Sequence, residues 1–179
     1  MRIISGSLGR RKLNTPNNLN LRPTTDIAKE GLFNILSNRY YFDELNILDL
    51  FSGTGGISYE FISRGAISVT AVESNLIHFK FISSVKKELN LTDLQLVKSD
   101  VFKFLEFNTR KFELIFADPP FNLEELNSIP DLIFKGEHLS EKGVLILEHS
   151  SDNDFSNHEN FVEVRRYGKV QFSFFEKHH

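Results

Sequence analysis

Apolar runs and helical patterns alternate along this chain. That predicts an α/β protein whose mostly parallel sheet is covered by helices on both faces, with an antiparallel hairpin at the C-terminal edge. Two observations carry the expectation. Five short apolar runs end at punctuation residues, and two more flank Gly168-Lys169 as a hairpin. Four acids, Asp49, Glu73, Asp100 and Asp118, also fall at or just inside successive strand ends. Open α/β sheets bind ligands at those ends, near the topological switch, and a plain core would not show four acids there.

In chain order, Arg2–Ser5 and Lys12–Leu13 read as a two-stranded ribbon whose turn exposes Arg10, Arg11 and Lys12. Asn14–Asn20 is turn chemistry. Arg22-Pro23 keeps the chain extended, and Thr24-Thr25-Asp26 caps an amphipathic helix running to about Arg39. Strands are then expected at Ile47–Phe51, Ser68–Glu73, Leu94–Val97, Phe112–Ala117, Val144–Glu148, Phe161–Tyr167 and Val170–Glu176. Helices are expected at Ile57–Ser63, Asn75–Leu89, Val101–Leu105 and Leu126–Phe134, the last with Pro130 near its first turn. Residues 1–40 are read as a basic hairpin-and-helix extension, and 41–179 as the ligand-binding domain.

The totals bound the function. A length of 179 residues suits one domain with a sizeable core. The absence of cysteine excludes disulfides, thiolate catalysis and Cys-based zinc sites, and is compatible with the cytoplasm. No apolar run approaches the ~20 residues of a membrane span, and neither a metal nor a membrane is expected as a partner. The net charge of −3 divides into +5 over residues 1–40 and −8 over the rest. A basic arm on an acidic body suggests a polyanion contact at one end; a solvated charged face is the plainer reading.

The chemistry concentrates in two stretches. Asn46–Gly56 reads as strand, glycine loop and helix start, where Gly53, Gly55 and Gly56 let the backbone approach a ligand. Ser58 stands where a dinucleotide fingerprint wants its third glycine, which argues against a nicotinamide enzyme. Asp49 before the loop repels a pyrophosphate and suits a cationic ligand, or else is a buried, hydrogen-bonded residue of a tight turn. Glu73, about 20 residues past the loop, can hold ribose hydroxyls; Asp100 can meet an adenine amino group or merely cap a helix. In Asp118-Pro119-Pro120-Phe121, two prolines stiffen the chain and remove two donors. The acid and the Pro119 carbonyl then form an acceptor pair for an exocyclic amine, and Phe121 offers a face for a flat base.

These residues resemble a known family. Asp49-Leu-Phe-Ser-Gly-Thr-Gly-Gly, Glu73 and Asp118-Pro-Pro-Phe look like the Rossmann-like class I S-adenosylmethionine-dependent methyltransferases that act on amino groups. Met1-Arg-Ile-Ile-Ser-Gly, Arg10-Arg11-Lys12-Leu13 and Arg22-Pro23-Thr24-Thr25-Asp26 narrow the resemblance to the RsmD-type ribosomal RNA guanine-N2 methyltransferases, over nearly the whole chain. The resemblance implies S-adenosyl-L-methionine contacts from Asp49, Phe51, Ser52, Gly53, Gly55, Glu73, Ser74, Asp100 and Val101. It places the target guanine against Asp118, Pro119, Pro120 and Phe121, and RNA against Arg10, Arg11, Lys12, Arg22 and Thr24. The implied partner is 16S ribosomal RNA within the small ribosomal subunit, met by a monomeric cytoplasmic enzyme.

Rival readings are a DNA amino-methyltransferase, a protein-glutamine methyltransferase (which favours Asn at position 118) and a non-catalytic RNA-binding module.

Overall fold

The computed structural model describes residues 1–15 and 25–177; Arg22, Thr24 and the cap residues before Thr25 lie outside the described residues. Helix α1 (Asp26–Arg39) starts where the Thr25 hydroxyl accepts from the Ala28 N–H, with Asp26 in its first turn. Then follow β1 (Asn46–Leu50), α2 (Gly56–Ser63), β2 (Ser68–Glu73), α3 (Leu76–Glu88), β3 (Leu94–Lys98), α4 (Val101–Phe107), β4 (Phe112–Ala117), α5 (Ile129–Lys135), β5 (Leu139–His149), β6 (Phe161–Tyr167) and β7 (Val170–Glu176). Among the described residues the strands form one seven-stranded sheet in the order β3-β2-β1-β4-β5-β7-β6. The first five are parallel, and the final hairpin adds β7 antiparallel to β5. The order reverses between β1 and β4, so the switch crevice opens where those two strands end.

Several ends shift by one or two residues, Phe51 for instance leaving β1 for the loop, and three elements differ further from the sequence expectation. The N-terminal ribbon contracts to a single antiparallel bridge, Arg2 with Lys12. Ile3, Arg10 and Leu13 keep main-chain hydrogen bonds across it, but the N–H groups of Ile4 and Ser5 donate to the Glu60 carboxylate at 2.7 and 3.1 Å, and the pairing goes no further. Strand β5 begins at Leu139, earlier than Val144, because Phe112 pairs with Leu139 across an irregularity in the β4–β5 register. The segment expected as one helix at Leu126–Phe134 divides into a 3₁₀ turn, Glu124–Ser128, and α5, which carries Pro130 in its first turn, where the missing N–H costs nothing.

The sheet buries both faces. One apolar cluster joins Ile3, Leu13 and α1 residues Leu32, Phe33 and Leu36 to Ile47, Phe61, Phe116, Phe172 and Phe174, so the N-terminal arm shares the core of the sheet. The other packs Leu48, Leu50, Ile115 and Leu147 against α4 and α5. Phe61 joins α2 to α1: its ring meets Phe33 edge-on at 4.8 Å and Phe42 at 5.9 Å between centroids. Phe61→Ala should therefore cost about 3–5 kcal/mol, read as a lower urea midpoint at unchanged slope; a loss below ~1 kcal/mol would show that the α1–α2 contact closes over the gap.

Candidate active site

Strand β1 delivers the glycine loop and β4 delivers Asp118-Pro119-Pro120-Phe121 to adjacent points of the crevice. Leu50 is in register with Ala117, and the Asp118 N–H donates to the Leu50 carbonyl at 3.3 Å. Asp118 is half-buried, Pro119 buried, Pro120 exposed and Phe121 half-buried. The turn closes when the Leu123 N–H donates to the Pro120 carbonyl at 2.9 Å.

The loop itself is tightly tied. Phe51, Gly53 and Gly55 have φ of 59°, 54° and 80°. For Phe51 this is a sparsely populated conformation that the surroundings must hold, and its ring lies edge-on to Phe102 of α4 at 6.4 Å. The Ser52 hydroxyl donates to the Asp49 and Val72 carbonyls at 2.8 and 3.1 Å, while the Ser52 carbonyl accepts from the Gly55 N–H at 2.7 Å. The Glu73 carboxylate accepts from the Gly53 N–H with one oxygen and from the Asn75 N–H with the other, each at 2.7 Å. It therefore binds the loop after β1 to the loop after β2, with His78 Nδ1 at 3.8 Å from it.

Asp49 lies beneath the loop. It is 1% exposed and accepts from the Ser58 hydroxyl at 2.5 Å. Burial pushes its carboxyl up to about 7, the Ser58 hydrogen bond works against that rise, and the Glu73 charge adds to it. Beside it, the Tyr59 hydroxyl is buried with no hydrogen-bond partner among the described residues. A Cβ at Gly55 would stand 2.7 Å from the Tyr59 ring, so only glycine lets the loop lie this close to α2. A glycine cradle over a buried carboxyl, with an unpaired hydroxyl at its side, suits a ligand carrying a positive charge, because that charge favours the ionised form of Asp49 that burial disfavours.

The remaining candidate residues sit around the crevice. Ser74 is exposed, as is Asp100, whose carboxylate accepts from the Lys103 N–H at 3.1 Å and so caps α4; Val101 is buried. The Asn75 side chain caps α3, accepting from Ile77 at 2.8 Å. At its N-terminus α3 leaves Leu76 and Ile77 about half exposed, an apolar shelf beside Glu73.

Among known proteins, a family described as "Conserved hypothetical protein 95" matches residues 1–176. The ribosomal RNA small subunit methyltransferase D of Haemophilus influenzae is 30% identical over 175 residues, spanning 92% of this chain and 86% of its own. YlbH of Bacillus subtilis is 35% identical over 159 residues, spanning 85% and 84%. The chain belongs to the RsmD family of S-adenosylmethionine-dependent methyltransferases. The solved structure of yhhF from Escherichia coli, 26% identical, superposes with a TM-score of 0.86 over 99% of this chain and 97% of that one.

In this RsmD-family chain, the basic arm is fixed by residues that sequence reasoning missed. Glu60 of α2, fully buried, holds Ile4, Ser5 and the Arg64 side chain. Ser63 binds the Ser5 carbonyl and the Leu8 N–H, and its own carbonyl accepts from Ser7 at 2.7 Å. Lys29 of α1 donates to the Arg2 carbonyl at 2.5 Å. Arg10, Arg11 and Lys12 are all exposed on this clamped arm. Its first residue reaches the glycine loop: the Thr54 hydroxyl lies 3.5 Å from the Met1 sulfur, which also covers Gly56. The only sequence signal was the pair Glu60 and Ser63, three apart on one helix face.

The raised Asp49 carboxyl has a sign that can be measured. An unfolded chain releases this proton near pH 4; the folded state keeps it until about 7, so stability falls as pH rises between the two and levels above. Asp49→Asn removes the titration while keeping a polar partner for Ser58. The melting temperature of the variant relative to the parent should rise across that window and then stay flat. A difference independent of pH would show that Asp49 is ionised throughout.

Proposed function

We propose that this protein transfers a methyl group to the exocyclic N2 of a guanine in small-subunit ribosomal RNA, within the assembled or assembling particle. The observation that carries the reading is the hydrogen bond from Asp118 to Leu50, which joins the amine-accepting motif to the end of the glycine loop. The names of the relatives supply the substrate class, small-subunit ribosomal RNA.

Bound S-adenosylmethionine supplies an electrophilic methyl on a sulfonium, already a good leaving group. The chain's own residues bind, orient and stabilise. The loop at Ser52, Gly53 and Gly55 lies beside the ligand, and Asp49 beneath it answers a positive charge. Each Glu73 oxygen already accepts one N–H and keeps a second lone pair for a ribose hydroxyl. Ser74, Asp100 and Val101 border the adenine end. On the substrate side, Asp118 accepts a hydrogen bond from N2 and stabilises the positive charge that develops there. Pro119 and Pro120 hold that acceptor rigidly, and Phe121 stacks on the base, which must first leave its own stack. Positioning supplies most of the rate.

Residues 1–40 take the backbone of the RNA. Arg10, Arg11 and Lys12 project from the clamped arm, and Arg22 and Thr24 extend that contact; residues 41–179 carry the chemistry, in a monomer free in the cytoplasm. Such contacts release counterions, so binding weakens steeply with salt.

The deciding measurement offers labelled S-adenosylmethionine with unmodified small subunits, deproteinised rRNA and duplex DNA in parallel. Label recovered as N2-methylguanine from the subunits is the expected result; label only on DNA would replace the RNA reading with a DNA one. Asp118→Ala should reduce transfer by ~10²–10³-fold, leaving cofactor affinity by calorimetry within a few fold. Loss of cofactor binding would reassign Asp118 to the structure of the crevice.

A further inference from the structure

The ligand edge of the sheet continues past Asp118. Across β5, at the carboxyl end of that strand, lies a cavity of about 400 Å³. Register places its floor: His149 of β5 pairs with Gln171 of β7, which in turn pairs with Arg166 of β6. Gln171 thus stands two strands from β4, roughly 10 Å at the usual spacing, on the edge where Asp118 emerges.

The cavity is polar at its base and aromatic at its side. Gln171 is 8% exposed and lines the cavity, and its side-chain amide makes no hydrogen bond among the described residues. The amide faces the open cavity, where a ligand edge with a matching donor and acceptor can take the place of water. Ser173 and His149, each 1% exposed, complete the floor. His149 Nδ1 faces the Ser150 carbonyl at 2.7 Å, an oxygen that can only accept, so Nδ1 carries the proton. Burial lowers the imidazole's pKa and keeps it neutral. Its Nε2 therefore accepts from the Ser173 hydroxyl at 2.7 Å, leaving that oxygen only acceptor capacity toward the cavity. The floor thus presents an amide donor and acceptor beside a second acceptor. Phe155, edge-on to His149 at 4.9 Å, forms an apolar wall. Exposed Arg166 stands at the rim, balanced on the other side by Asp154, which binds the Ser156 N–H at 2.9 Å.

We infer that this cavity receives a second nucleobase of the substrate RNA, near the methylated guanine, with an amino group beside a ring nitrogen, as in adenine or cytosine. Its ring nitrogen accepts from the Gln171 amide, its amino group donates to the Gln171 and Ser173 oxygens, and its phosphate meets Arg166. A glutamine reads adenine by this donor–acceptor pair. Uracil can match the Gln171 amide with its N3–H and a carbonyl, but it has no second hydrogen for the Ser173 oxygen, which is left facing the base without a donor. The inference rests on RNA being the substrate and adds the identity of a neighbouring base.

The test titrates fluorescently labelled single-stranded RNA oligonucleotides that carry one guanine with adenine, cytosine or uridine at each nearby position. At one position, adenine or cytosine should bind about tenfold tighter than uridine. Gln171→Leu should erase that preference with cofactor affinity unchanged, and Arg166→Ala should weaken all oligonucleotides alike. Equal binding of every oligonucleotide by the parent, or a preference that survives Gln171→Leu, would overturn the inference. Gln171→Glu, which keeps the acceptor and removes the donor, repeats the test with a side chain of the same length. Methyl transfer to small subunits is measured alongside. Transfer without any base preference would sink the cavity reading and leave the function standing; a preference dependent on Gln171 without transfer would do the reverse.

Discussion

The carboxylate of Glu73 holds the crevice together. Its two oxygens grip the N–H of Gly53 and of Asn75, so one side chain fixes two strand-end loops relative to each other. The need for such a grip is visible in the backbone. Phe51 is held in a left-handed conformation that costs a non-glycine residue roughly 1–2 kcal/mol. Hydrogen bonds to a charged acceptor, worth about 1.5–3 kcal/mol each, are of the size needed to offset it. Ser52 closes the same web from below through the Asp49 and Val72 carbonyls. Without this web the chain after Leu50 would relax, and the ligand edge of β1 would lose its shape.

Helix α2 then transmits that shape to the basic arm. It begins at Gly56, beneath Met1, and one turn later turns Glu60 and then Ser63 toward residues 4–8. Gly6 shows how close the approach is: a Cβ there would stand 1.9 Å from the Ser63 carbonyl oxygen, and φ is +84°. The arm is thus seated on the helix whose first turn frames the glycine loop. Under the proposed function, an RNA phosphate on Arg10 or Arg11 and a ligand on the loop would bear on one rigid element, the physical condition for their affinities to be linked.

What was legible in the sequence was whatever local pattern dictates. Strands β2, β4, β6 and β7 follow their apolar runs to the residue, and the caps at Thr25 and Asp100 follow from short polar side chains before helical periods. The glycine loop and the Asp118 turn were legible because glycine and proline constrain the backbone by themselves. Long-range polar contacts were not. Glu60 reads as an ordinary helical glutamate until chain topology sets it 55 to 56 residues from its partners. The same contact explains why the ribbon expected at Arg2–Ser5 stops short: beyond Ile3, the Ile4 and Ser5 N–H groups turn to a side chain that no local pattern reveals. Strand β5 was clipped because Glu141-Lys142-Gly143 interrupts its apolar run, while the pairing of Leu139 with Phe112 is a tertiary fact.

Rigid strand ends also explain why the site needs so few reactive groups. Asp118 is the first residue past β4, and its main-chain N–H is tied to the last residue of β1. In the proposed reaction the acceptor for the amine and the loop for the methyl donor would therefore be set by a strand pairing in the centre of the sheet, with Leu48, Leu50, Ile115 and Ala117 fully buried behind them. A displacement of one against the other would require that pairing to slip, and a one-residue slip would send each face's side chains into the opposite core, where they do not fit. A reaction that depends on bringing an amine in line with a methyl group gains more from that fixity than from a strong base, since misplacement by an ångström can cost ~10² in rate.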